Sequence, residues 1–205
     1  MLEDTGERVI PEKMKITNEL LLEHVARYHF SINYARGRVL DFASGSGYGS
    51  HIIAKKCKKR VNEVIGVDID KEAITYARGT YYHPLTTFLK EDVVDPTLPE
   101  KLGQFDTILS FETIEHIENE QQFLSNIYQL LKPEGTLVLS TPFGKGRGRP
   151  CGSPFHVHQL TIEEFKILFA NYSETTFYYQ KGALIERAGY ETIGQPPLGI
   201  VVCRK

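Results

Sequence analysis

The chain has 205 residues, with 24 Lys plus Arg against 26 Asp plus Glu, 41% apolar residues, three cysteines and no tryptophan. That length predicts one domain with a full hydrophobic core, and a formal net charge of −2 argues against the basic face of a general nucleic-acid binder. Cys57, Cys151 and Cys203 form no CxxC pair or disulfide framework, no apolar h-region opens the sequence and no run of about 18 apolar residues occurs, so a soluble, cytoplasmic protein without membrane insertion is expected.

The polar opening through Lys15, with Gly6 and Pro11, reads as an arm or lid. From Thr17 onward, Leu20, Leu21, His24, Val25, Tyr28 and Ile32 recur at helical spacing until Gly37 gives a stop signal. Strand-like apolar runs follow at residues 38–42, 63–67, 86–89, 105–110 and 135–141, with helical stretches at 49–56, 71–78 and 120–131 between them. Such alternation predicts βαβ units and a parallel sheet covered on both faces. A helix at 161–169 is then followed by runs at 175–179 and 198–203, expected to close the sheet as a hairpin-like pair. The single domain divides into an N-terminal arm and helix (1–36), a cofactor-binding core (37–142), and a substrate loop with C-terminal strands (143–205). Residues 141–158, TPFGKGRGRPCGSPFHVH, form a long loop, and such loops in compact domains are usually functional or disordered.

The strongest chemical signal is VLDFASGSGYGS, residues 39–50. A strand ends at Asp41 and Phe42, and Gly45, Gly47 and Gly49 precede a helix. Glycines there permit positive φ and close approach of backbone to a ligand beyond the carboxyl ends of the strands. Asp68 ends the next strand, where a carboxylate accepts from ribose hydroxyls. Asp92 follows the third apolar run and offers an acceptor to an adenine amino group, so a ligand containing adenosine is expected. A dinucleotide fingerprint would have its third glycine where Ser50 stands, and Asp41 would repel a pyrophosphate at the helix N-terminus. A carboxylate suits instead the sulfonium and ammonium of S-adenosylmethionine; otherwise Asp41 caps the loop.

The runs DFASGSGYG, GVDID, KEDVVD, FDTILSFETIEHI and LLKPEGTLVLSTP, in this order across residues 38–142, resemble the class I S-adenosylmethionine-dependent methyltransferases. The resemblance implies an α/β, Rossmann-like, doubly wound sheet of seven strands, order 3-2-1-4-5-7-6 with the last strand antiparallel, here with an N-terminal helical lid. It also implies that Asp41, Gly45 and Gly47 face the methionine moiety, Asp68 the ribose, and Ile69, Asp92 and Val93 the adenine. HVARY before the first strand and FETIEHI after the fourth look like the ubiquinone-type O-methyltransferases, which implies cofactor contacts for Arg27 and Phe111. A guanidinium suits a carboxylate through its forked donors. The opening GERVIPE is similar to bacterial methyltransferases encoded with glycan-assembly genes, which implies a glycan acceptor beside the small-molecule one.

FETIEHI sets Glu112, Glu115 and His116 at i, i+3 and i+4, which a helical turn would gather on one face. Two carboxylates and an imidazole suit Mg²⁺ or Mn²⁺. His156 or His158 can add a fourth ligand, with His158 preferred because it directly precedes the helix signal at Gln159, Leu160 and Thr161. The ExxEH run with a later histidine resembles the metal sites of ubiquinone-type and small-RNA 2′-O-methyltransferases. A cation would lower a hydroxyl's pKa, or a neutral His116 would take the proton, so His116, Glu112 and Glu115 are the expected catalytic set. Without metal, the same residues would shape the pocket. Thr161 and Glu164 read as a capping box, and Lys145, Arg147 and Arg149 suit either a phosphate-bearing acceptor or a solvated loop. The expected activity is methyl transfer to an oxygen of a small molecule or glycan. Its alternatives are metal-free N-methylation of a small molecule or peptide, a nicotinamide-dependent oxidoreductase, and an inactive cofactor-binding module.

Overall fold

The structure, a computed structural model, describes residues 2, 6–189 and 196–205. Its strands are β1 (Gly37–Phe42), β2 (Val61–Asp68), β3 (Thr86–Lys90), β4 (Phe105–Phe111), β5 (Leu131–Pro142), β6 (Glu174–Lys181), β7 (Leu184–Arg187) and β8 (Leu198–Arg204). Helices are α1 (Glu19–Ser31), α2 (Tyr48–Lys56), α3 (Lys71–Thr80), α4 (Leu98–Leu102), α5 (Glu120–Leu130) and α6 (Ile162–Ile167). The strands form one sheet in the order β3-β2-β1-β4-β5-β8-β6-β7, with β1 to β5 parallel and β6 to β8 antiparallel.

The apolar runs are continuous because the sheet is buried on both faces. Leu40, Ile65, Ile108, Leu137 and Leu139 point into one core, completed by Phe123 and Ile127 of α5. Their neighbours Val39, Val64, Leu109 and Val138 point the other way, against Tyr28, Ile53 and Ala77 of α1, α2 and α3. Side chains cap the starts of α1, α3, α5 and α6: Asn18 accepts from Leu21 N at 3.0 Å, and the Thr161–Glu164 capping box is present as expected.

The Rossmann-like architecture agrees with the sequence, but the sheet has eight strands where seven were expected. The added strand is β7, a four-residue edge strand paired to β6 across a tight turn in which Gly182 takes φ +58°. It is too short and too exposed to leave a periodic apolar signal. The expected hairpin pair is real as a pairing, since β6 and β8 are antiparallel neighbours, yet β7 lies between them in the chain. The arm packs along α3. Leu2 and Ile10 cluster with Ala73, Arg8 pairs with Asp70 at 2.7 Å, and Glu12 accepts from Tyr76 and Tyr81. Among the described residues, no helix is long and apolar enough to cross a membrane.

Candidate active site

A cavity of about 650 Å³ opens beyond the carboxyl ends of β1, β2 and β4, where open α/β sheets bind their ligands. Of the residues singled out in the sequence, Gly45, Asp68, Ile69, Asp92, Val93, Phe111, Glu112, Glu115 and His116 line it.

The glycine loop works by three different means. Gly45 takes φ +55° with nothing near the position of a Cβ, and its N–H donates to Asp68 Oδ2 at 2.8 Å. Asp68 Oδ1 accepts from Asp70 N at 2.9 Å, so this carboxylate fixes the loop while facing the cavity. Gly47 takes φ +89°, but a Cβ there would meet Ala77 Cβ at 2.6 Å, so it serves packing against α3 and does not line the cavity. Gly49 has an ordinary helical backbone and sits under the ring of Tyr28. Ala43, a non-glycine, takes φ +71° at the mouth of the loop.

Asp41 is one layer deeper than the resemblance implied. It is fully buried and absent from the cavity wall; Tyr28 OH donates to it at 3.0 Å and Ser50 Oγ at 2.6 Å. Burial pushes its pKa up to about 6, against the opposing pull of those hydroxyls. Tyr28 forms the wall in its place and meets Phe111 edge-to-face at 5.0 Å. Ser50, at the position of a dinucleotide motif's third glycine, is thus a donor to Asp41.

Arg27 is likewise buried and off the cavity wall. Its Nη1 donates to Gln180 Oε1 at 3.0 Å, whereas Nε and Nη2 have no partner. Two unmatched donors on a buried cation are costly, and a carboxylate would satisfy both.

The expected metal quartet does not assemble. Residues Ile114–His116 form a 3-10 turn rather than an α-helical one, and Glu112, before it, sits in the left-handed region at φ +48°. Glu112 Oε1 accepts from Ser140 Oγ at 2.9 Å and Glu115 Oε2 from Thr141 Oγ1 at 3.1 Å. His158 Nε2 lies 3.2 Å from Glu120 Oε2. Among the described residues, no three of Glu112, Glu115, His116 and His158 bring ligating atoms within 4.8 Å of one another. Arg147 also binds Glu120, at 2.7 Å.

Glu115 is the anomalous group of the site. It is 1% exposed, its Oε1 has no partner, and burial together with the nearby Glu112 charge raises its pKa well above the usual carboxylate range. The 141–158 loop docks on its backbone, with Val157 N donating to Glu115 O at 2.8 Å.

Sequence reasoning missed several wall residues: Glu7, Arg8 and Val9 of the arm, Leu20 and His24 of α1, and Phe155. Burial pushes the His24 imidazole well below its usual pKa, so it is neutral at physiological pH. The one usable signal was the polar arm itself.

Residues 40–139 match the family described as "Methyltransferase domain". A Mycolicibacterium smegmatis protein named "Probable S-adenosylmethionine-dependent methyltransferase" is 32% identical over 165 residues, 78% of this chain and 60% of that protein. A ubiquinone biosynthesis O-methyltransferase of Nitrosococcus oceani is 32% identical over 128 residues, 60% of this chain and 50% of that protein. The chain therefore spans between half and three-fifths of these relatives' length. The fold matches the crystal structure of a SAM-dependent methyltransferase from Archaeoglobus fulgidus with a TM-score of 0.62 at 17% identity, covering 92% of this chain and 95% of that one. Motif order, topology and these matches together liken the chain to the class I S-adenosylmethionine-dependent methyltransferases.

Proposed function

We propose that this protein transfers the methyl group of S-adenosylmethionine to an oxygen of a small-molecule acceptor, with Glu115 receiving the acceptor's proton. The observation that carries this reading is the buried, partnerless Oε1 of Glu115 on the wall of the cavity that holds Gly45, Asp68 and Asp92. The relative that is a ubiquinone biosynthesis O-methyltransferase supports an oxygen acceptor.

When bound, S-adenosylmethionine supplies an activated methyl group on a sulfonium, open to in-line displacement. Asp68, whose two oxygens each hold one backbone N–H, has lone pairs left for the ribose hydroxyls. Ile69 and Val93 flank the adenine, and Asp92, with Oδ1 fixed by Val94 N at 3.0 Å, accepts from its amino group. Arg27 lies behind the wall, so its unmatched Nε and Nη2 would take the methionine carboxylate only as the ligand displaces the side chains in front of them, while Asp41 acts through Tyr28 and contributes negative potential toward the cationic end. Phe111 and Tyr28 exclude water from that end. In that displacement the acceptor oxygen would bond to the methyl carbon as the C–S electron pair goes to sulfur, and Glu115 Oε1 would receive the acceptor's proton. Thr141 holds Glu115 in position, and Glu112 strengthens it as a base through like-charge repulsion. The expected quartet does not fit a metal, so no step passes through one.

The test couples calorimetric binding of S-adenosylhomocysteine to transfer of labelled methyl onto phenols, catechols and carboxylic acids. Glu115→Gln is expected to lower turnover by about 10²-fold or more while S-adenosylhomocysteine affinity stays within about threefold. Absence of S-adenosylhomocysteine binding would overturn the cofactor assignment. Methylation of amines alone, insensitive to Glu115→Gln, would overturn the oxygen acceptor.

A further inference from the structure

On the cavity wall the structure adds Glu7 to two histidines that the sequence had offered to a different donor set. Glu7 of the arm, His116 of the turn after β4 and His156 of the 141–158 loop each place one ligating atom within 4.8 Å of the others. Glu7 Oε2 is 3.8 Å from His116 Nε2, Glu7 Oε1 is 3.5 Å from His156 Nε2, and the two imidazoles meet edge-to-face with centroids 4.9 Å apart.

Each donor is also held from behind. Ser153 Oγ donates to Glu7 Oε1 at 2.7 Å. His116 Nδ1 lies 3.0 Å from the Phe155 carbonyl oxygen, which requires the proton on Nδ1 and leaves the Nε2 lone pair facing Glu7 and His156. Gln159 Nε2 lies 3.2 Å from His156 Nδ1 and anchors that ring; metal binding through Nε2 calls for the flipped amide, whose oxygen accepts from Nδ1–H. Such outer hydrogen bonds are what orient metal-ligating histidines. Ligands bound at about 2.0–2.1 Å to a tetrahedral ion lie about 3.4 Å apart, so the two Glu7–histidine separations, 3.8 and 3.5 Å, need to close only slightly.

We infer that Glu7, His116 and His156 bind a transition-metal dication of the zinc type that ties the N-terminal arm to the 141–158 loop over the cavity. Two imidazoles and one carboxylate favour such an ion over Mg²⁺, which prefers an all-oxygen octahedron. This site shares His116 with the quartet expected from sequence and takes His156, the alternative to its fourth member, but replaces both Glu112 and Glu115 by Glu7. The bound ion joins segments 149 positions apart in the chain, so it stabilises the closed arm.

The experiment uses chelator-treated full chain, titrated with Co²⁺ and read by visible ligand-field absorption, then with Zn²⁺ as competitor. It needs neither cofactor nor acceptor, so its outcome is separate from that of the methyl-transfer reading. One equivalent is expected to bind, with a rise in the thermal unfolding midpoint. Loss of outer-shell partners alone costs about 10–100-fold, so Glu7→Gln and His156→Ala are each expected to weaken binding by about 100-fold or more. Glu112→Gln and His158→Ala should bind within about threefold of the parent. Equal unfolding midpoints of all variants in chelator verify folding. The inference is overturned by absence of binding at about millimolar metal, by binding that survives Glu7→Gln and His156→Ala, by loss of binding in Glu112→Gln, or by a near-ultraviolet sulfur-to-cobalt band assigning the site to Cys151.

Discussion

The ring of Tyr28 lies directly over Gly49, so close that a Cβ added to the glycine would come within 1.8 Å of Tyr28 Cζ. This contact docks α1 on the start of α2 and holds the Tyr28 hydroxyl on Asp41. Gly49→Ala is therefore expected to destabilise the protein by about 1–3 kcal/mol through overpacking. In a double-mutant cycle read by urea unfolding, Tyr28→Ala should relieve much of that cost; simple additivity would show that the two residues do not touch.

Ala43 shows the opposite mismatch, an L-residue where the backbone requires φ +71°. The left-handed region costs such a residue about 1–2 kcal/mol, and glycine returns about 0.4–1 kcal/mol of that through unfolded-state entropy. Ala43→Gly is expected to raise stability by up to about 1 kcal/mol. A lower unfolding midpoint would mean that the Cβ has a packing role larger than the strain.

Glu115 links activity and stability with opposite signs. Its pKa is raised in the folded state, so the stability it contributes is complete below the unfolded pKa and is lost as pH rises through the folded one. Each tenfold change in its proton affinity is worth about 1.4 kcal/mol. Glu115→Gln should thus be more stable than the parent above neutral pH and equal to it near pH 4, while its turnover loses the alkaline rise. Parallel pH–stability curves for the two proteins would refute the buried-carboxyl account.

Asp41, with a folded pKa of about 6, behaves likewise: its stability contribution fades as pH rises from about 4 through 6. A cationic ligand favours the ionised form, so S-adenosylmethionine affinity should climb by up to about tenfold per pH unit below 6 and level off above it. Asp68, also raised by burial, adds to that slope. Asp41→Asn should flatten it, and calorimetry between pH 5 and 8 reads the difference.

Arg27→Met removes a buried cation with two unmatched donors. Replacement of buried charges by apolar side chains is often neutral or stabilising by about 1–4 kcal/mol, so unfolding should be unchanged or later while S-adenosylhomocysteine affinity falls by about 10²-fold. Retained affinity would remove Arg27 from the cofactor set.

The βαβ core was legible in the amino-acid sequence, because strands buried on both faces are written as continuous apolar runs, whereas the strand order came from the resemblance to methyltransferases. The sequence also placed Gly45, Asp68, Ile69, Asp92 and Val93 around one cavity, since all of them sit at or beyond the carboxyl ends of adjacent parallel strands. What it left undecided depends on backbone turns and on partners remote in the chain. Helical spacing grouped Glu112, Glu115 and His116, but a left-handed residue and a 3-10 turn separated them. The resemblance implies cofactor contacts for Asp41 and Arg27, but a resemblance carries no depth, and packing by Tyr28 and Gln180 sets both behind the cavity wall. The meeting of Glu7 with His116 and His156 was decided by tertiary structure alone, because an irregular arm and an irregular loop have no periodicity from which their contact can be read.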